Sequence, residues 1–141
     1  MARRSRAREV ALQLLYQHDQ NKGGSPADAQ AFLRRRLADE ELERWGESLY
    51  RGVLDNLAAI DKLLAGAAEN WSVERMAVVD RNVLRLGVFE LHHQPETPVR
   101  VVIDEAVELA KRYGSVESPA FVNGILDRLA AQKASASQTV S

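Results

Sequence analysis

Apolar residues recur at three-and-four spacing along nearly the whole chain, the period of helices that bury one face. Ala7, Val10, Ala11, Leu14 and Leu15 form the first stripe, with Arg6, Glu9, Gln13 and Gln17 opposite, so a helix is expected from Arg6 to about Gln20. The pattern breaks over 21–24. Ser25-Pro26 then reads as an N-cap followed by a first-turn proline, opening a second helix that runs to about Leu37. Asp39 caps a third, in which Leu42, Trp45, Leu49, Val53, Leu57, Ile60 and Leu64 hold the helical period without a proline. Gly46, Gly52 and Gly66 weaken its continuity, because glycine inside a helix costs about 1 kcal/mol relative to alanine.

Asn70-Trp71-Ser72 marks a break, and Ser72 is expected to cap a short helix with Val73, Met76 and Val79. A further apolar helix through Val83, Leu84, Leu86, Val88, Phe89 and Leu91 stops near Gln94-Pro95, with Asp80 a candidate cap at its start. Thr97-Pro98 restarts the chain as cap and first-turn proline. The helix over 99–113 should close at Gly114 in a left-handed turn. Its opening run, Val99, Val101, Val102 and Ile103, is β-branched, but no partner strand occurs elsewhere. Ser118-Pro119 opens the last helix, which buries Phe121, Val122, Ile125, Leu126 and Leu129. Gly87 and Gly124, inside apolar helices, predict two close helix approaches. The tail over 133–141 is small and polar, and is expected to be disordered. The sum is an all-α fold of about seven helices in one domain over residues 1–132.

Charge changes this picture at one end. Arg3, Arg4, Arg6 and Arg8 fall within the first eight residues of a 141-residue chain whose net charge is −1, which leaves −5 beyond them. A basic arm of this kind suits polyanions, because each guanidinium offers phosphate a planar fork of donors. A solubilising basic terminus is the plainer reading of charge alone.

Chemistry is otherwise scarce. Cysteine is absent, which removes disulfides, thiolate metal sites and a cysteine nucleophile, and suits a reducing cytoplasm. No apolar run approaches the roughly 18 residues of a membrane span, so the expectation is a cytoplasmic protein. His18, His92 and His93 do not match a metal-ligand spacing, and His92 and His93 read as solvent-facing at a helix end. Asp104, Glu105 and Glu108 are accounted for by the favourable placement of acids in the first turns of a helix and by pairing with Lys111 or Arg112. No phosphate loop or dinucleotide motif is present, and no catalytic residue, metal or cofactor is expected.

Several segments together resemble the NusB family of bacterial transcription antitermination proteins. They are Arg8-Glu9 with Ala11 to Tyr16, Val79 to Leu86, Phe89-Glu90-Leu91, Ile103 to Lys111 with Tyr113-Gly114, and Ser118 with Phe121 to Asp127. The resemblance covers about Arg3 to Leu129. It implies two packed helical subdomains and a non-catalytic role: binding the boxA element of ribosomal RNA transcripts with the ribosomal protein NusE, and helping RNA polymerase in the elongation complex read through terminators. By the same resemblance Arg3, Arg4, Arg6 and Arg8 contact RNA, as do Glu117 and Phe121 in the turn that borders it. Tyr16 and Asp80, with Arg81 beside them, meet NusE. Phe121 is read either as a base-stacking residue or as core. Ser5 and Ala7 interrupt the arm, which implies weak RNA binding without NusE.

Two other readings compete. One is a protein-interaction adaptor, or a homodimeric helical scaffold, that does not touch RNA. The other is an enzyme fragment, since NusB-like domains also precede ribosomal RNA methyltransferases; the absence of a nucleotide-binding strand-loop-helix argues against it.

Overall fold

A computed structural model describes residues 2–21, 25–69 and 71–140. Seven α-helices and one 3-10 turn account for its regular structure, and the described residues contain no strand. The chain divides into two compact units, one ending at Asn56 and one beginning at Leu57.

The first unit holds α1 (Ala2–Asn21), α2 (Pro26–Leu37) and α3 (Glu40–Asp55). Its helix boundaries follow from short-range chemistry. Ser25 Oγ accepts from Asp28 N–H at 3.2 Å while Asp28 Oδ2 accepts from Ser25 N–H at 3.4 Å, a reciprocal cap that satisfies two otherwise orphaned donors. Asp39 Oδ1 accepts from Leu42 N–H at 3.0 Å to open α3. Between them Ala38 turns the chain in the left-handed region at φ 52°, unusual for a residue with a Cβ, and its N–H reaches the Arg34 carbonyl. Leu33, Leu49 and Val53 are fully buried in this unit. A Cβ on Gly46 would stand 3.1 Å from Leu33 and 3.7 Å from the Ala7 carbonyl, so α3 approaches both α1 and α2 closely.

Two expectations change here. The basic segment before Arg6 is not an arm running into a helix: α1 begins at Ala2, and all four arginines are helical. The long third helix is also interrupted, at Asn56 rather than at a glycine. There the Asn56 side chain and backbone N–H both donate to the Gly52 carbonyl, at 2.8 and 3.1 Å. That competition between side chain and backbone ends α3. The break expected over 21–24 starts later, since Asn21 is helical and 22–24 lie outside the described residues.

The second unit holds α4 (Leu57–Ala67), the 3-10 turn Val73–Arg75, α5 (Val78–His93), α6 (Val99–Tyr113) and α7 (Ser118–Val140). Helix α5 packs against α4, α6 and α7. Its run from Leu86 to Leu91 is accordingly buried without a break. At Gly87 a Cβ would lie 2.8 Å from Leu126 Cδ1, so this glycine does admit α7 closely. Gly124 does not: it is exposed, with nothing within 4 Å of a Cβ.

Other boundaries shift for identifiable reasons. Ser72 makes no side-chain cap bond, and the residues after it form only a 3-10 turn, with Val79 already inside α5. Asp80 lies in the first turn of α5 rather than capping it, and Ala77 holds the cap position. Pro98, not Thr97, is the cap residue of α6. Gly114 is extended, at φ −97°, so its glycine is required by contact instead of handedness: a Cβ would sit 2.5 Å from Ser118 Oγ. Finally α7 runs through 133–140, where a tail was expected. Nothing in that stretch is a helix breaker, and Lys133 Nζ anchors it by donating to the Leu91 carbonyl at 2.7 Å.

Candidate nucleic-acid interface

The first turns of α1 sort the four arginines into different environments. Arg3 is exposed and its Nη2 meets Asp39 Oδ2 at 2.5 Å. Asp39 is held below the ordinary carboxylate value by the Leu42 N–H it accepts and by the Arg3 charge, so it is ionised whenever Arg3 faces it at neutral pH. Arg6 is likewise exposed, and its Nη1 reaches Glu9 Oε1 at 2.6 Å. The Arg3–Asp39 pair is open to water and contributes about 0–1 kcal/mol, so an incoming phosphate displaces its carboxylate at little cost. Glu9 is buried, so only the Arg6 end of the second pair faces solvent.

Arg4 and Arg8 share one ring. Their guanidinium carbons lie 4.7 and 5.0 Å from the Trp45 centroid, within cation–π range. Arg4 remains half-exposed, whereas Arg8 is 3% exposed. Of the four expected RNA contacts, Arg8 is therefore turned into the protein, where its stem and head fill space beside Trp45. Nothing in the sequence distinguished it from the other three.

At the start of α7, Glu117 is exposed and its carbonyl accepts from Phe121 N–H at 3.2 Å. The preceding turn is tied by Ser118 Oγ, which accepts from Ser115 N–H at 2.9 Å. It leaves Val116 97% exposed. Phe121 is neither core nor free: it is half-buried, while Val122 and Ile125 fill the core behind it. Its ring meets Trp71 edge-on, with centroids 6.2 Å apart and planes at 74°. Trp71 is 54% exposed, an unusual state for the largest apolar side chain. In the sequence Trp71 is no more than part of a break between helices. An aromatic residue in a connection between helices, where core packing does not require it, was the available signal.

The residues expected to meet a protein partner lie on two helices. Tyr16 stands on α1 with 44% of its surface exposed. Asp80 is half-buried in the first turn of α5, and its Oδ1 has no hydrogen-bond partner among the described residues. Arg81 beside it donates through Nη1 to the Glu74 carbonyl at 3.2 Å. A buried carboxylate oxygen without a donor is costly unless something else supplies one.

The histidines take ordinary structural places. His18 packs edge-on to Tyr50 at 6.4 Å, and His93 stacks on Phe89 at 4.8 Å. Among the described residues no three His, Asp or Glu gather as metal ligands, and no helix is long and apolar enough to cross a membrane.

The sequence model of the NusB family matches residues 5–131. The transcription antitermination protein NusB of Sorangium cellulosum (strain So ce56) is 50% identical over 130 residues, covering 92% of this chain and 93% of the relative. That of Anaeromyxobacter dehalogenans (strain 2CP-1 / ATCC BAA-258) is 48% identical over 130 residues, covering 92% and 91%. Among solved structures, T. maritima NusB superposes with a TM-score of 0.82 at 40% identity, covering 91% of this chain and 90% of that one. A chain in a crystal structure of antitermination factors NusB and NusE in complex with dsRNA does so with a TM-score of 0.84 at 25% identity, covering 94% and 98%.

Proposed function

Because the chain belongs to the NusB family, we propose that it is a non-catalytic antitermination factor, binding the boxA element of ribosomal RNA transcripts together with NusE in the cytoplasm. The observation that carries this reading is the guanidinium set at the start of α1, with Arg3 and Arg6 exposed and Arg4 half-exposed. Arg3 meets the partly exposed carboxylate of Asp39, Arg6 meets the buried one of Glu9 from the solvent side, and Arg4 is braced on Trp45 with its charge facing no carboxylate among the described residues. Phosphates bound there release counterions, which makes the affinity fall with salt.

Phe121 and Trp71 supply the second component. A half-buried ring with an exposed indole at its edge offers a face on which an unpaired base stacks. Glu117, exposed one turn earlier, borders that face. In this reading Tyr16 on the first unit, and Asp80 and Arg81 on the second, each contact NusE, and Asp80 Oδ1, without a donor among the described residues, is the atom that gains most from a partner's hydrogen bond.

Titration of a boxA-type RNA, with and without NusE, at several salt concentrations tests the proposal. Tight binding that weakens with salt, and that drops when Arg3, Arg4 and Arg6 are changed to alanine, is expected. RNA retention indifferent to those three substitutions would favour the adaptor reading instead.

A further inference from the structure

Arg34, Arg35 and Arg36 end α2 in succession, and all three are exposed. They face different surroundings. Arg34 Nε lies 4.0 Å from Glu43 Oε1, at the edge of ion-pair range. Arg35 lines a surface cavity of about 330 Å³ that also contains Asp28. Arg36 does neither: its guanidinium lies 4.6 Å above the Phe32 ring, and its Nη1 donates to Gln13 Oε1 on α1 at 3.2 Å.

Both contacts of Arg36 are with neutral groups. The side chain is consequently held in place while its charge faces no carboxylate among the described residues, the opposite of Arg3 and Arg6, each of which meets one. A cation ordered before binding loses less rotamer freedom when an anion arrives. Phe32 is itself 9% exposed, so the ring beneath the guanidinium is a fixed support.

The position of Gln13 decides which anion. Positions 3, 6 and 13 of α1 are three and seven residues apart, so Arg3, Arg6 and Gln13 share one helical face. Seven residues advance a helix by about 10 Å. Arg36 thus places a third guanidinium on the Arg3–Arg6 face, roughly two turns further along. A linear polyanion that follows this face meets charge along its length; a compact acidic group does not need it.

We propose that Arg36 is a phosphate-binding residue that extends the RNA track of α1 onto the end of α2. The inference rests on the RNA-binding reading above and adds a residue from outside the basic arm. Arg36, exposed at a helix end, is replaceable without disturbing the core.

The test is titration of the full chain with a short single-stranded RNA across a salt series, for the unaltered protein, Arg36→Ala, Arg36→Lys, and Arg3→Ala with Arg6→Ala. Arg36→Ala should weaken binding about threefold to tenfold whatever the base sequence, and reduce the slope of log affinity against log salt by about 0.7, the release expected from one single-strand phosphate. Arg36→Lys should recover part of the affinity and all of the slope, since it keeps charge but loses the fork. Unchanged affinity and slope in Arg36→Ala, with weakened binding in the Arg3/Arg6 variant, would overturn the Arg36 assignment and leave the RNA reading standing. No RNA binding by the unaltered protein, alone or with NusE, would overturn both. If Arg36→Ala instead weakens only the association with the ribosomal-protein partner, the residue belongs to a protein interface and the assignment fails.

Discussion

Arg85 and Asp61 meet in a two-pronged ion pair, Nε to Oδ1 and Nη2 to Oδ2, both at 2.9 Å, that ties α5 to α4. The Arg85 side chain is 12% exposed and that of Asp61 30%. Arg85 Nη1 also donates to Asn82 Oδ1 at 3.0 Å, so the guanidinium is satisfied on more than one side. Asp61→Ala removes both of these carboxylate contacts from a largely buried cation. Because Asp61 is partly solvated, the expected loss is about 2 kcal/mol, somewhat below that of a fully buried pair. Urea denaturation checks it, and Arg85→Met combined with Asp61→Ala should be less damaging than Asp61→Ala alone.

The two interior glycines should respond to alanine with opposite signs. In α5, Gly87→Ala drives a methyl to within 3 Å of the fully buried Leu126, and overpacking should exceed the helix-propensity gain, for a net loss of about 1 kcal/mol. In α7, Gly124→Ala enters open space and should stabilise by about 0.5–1 kcal/mol. Melting temperatures of the two variants decide this; a shift in the same direction for both would contradict the helix approach described for Gly87.

Arg4 and Arg8 share Trp45 but should fail differently. Arg8→Ala empties a buried space and is expected to cost about 2 kcal/mol of stability. Arg4→Ala should cost less than about 1 kcal/mol, the range of an exposed cation–π contact, while lowering RNA affinity. Parallel thermal melts and RNA titrations separate the two effects.

Trp71→Ala should leave stability nearly unchanged, since half of the indole faces water, and weaken RNA binding by about 1–2 kcal/mol if a base stacks there. Phe121→Leu serves as its companion, keeping volume against the core while removing the aromatic face. Affinity retained in both variants would remove the aromatic pair from the interface.

Partial desolvation of the ring, and then the neighbouring charges of Lys133 and His93, hold His92 below its ordinary value of 6.5. The unfolded chain therefore binds the proton more readily than the folded one, and stability rises with pH across this window. The stability is fully present above 6.5 and declines as pH falls through that value, levelling off below the depressed folded-state value. His92→Gln should flatten the dependence of the urea midpoint between about pH 7.5 and pH 5. The change is small because His92 is exposed, and an unaltered slope would assign the titration elsewhere.

By itself the sequence determined what neighbouring residues determine. The apolar period set the helices, and Ser25, Asp39 and Pro26 set starts through bonds and sterics that reach only three or four positions. A basic cluster among the first eight residues pointed to polyanions because composition alone places it at one end. Tertiary structure decided the rest, and for one physical reason: the deciding contacts join residues too far apart in sequence for any local period to register them. Whether an arginine is available depends on what stands across from it. Trp45 takes Arg8 inward, Asp39 offsets Arg3, and Phe32 with Gln13 holds Arg36 ready. The same holds for the extent of α7, anchored through Lys133 to a carbonyl 42 residues away, and for the aromatic pair of Trp71 and Phe121.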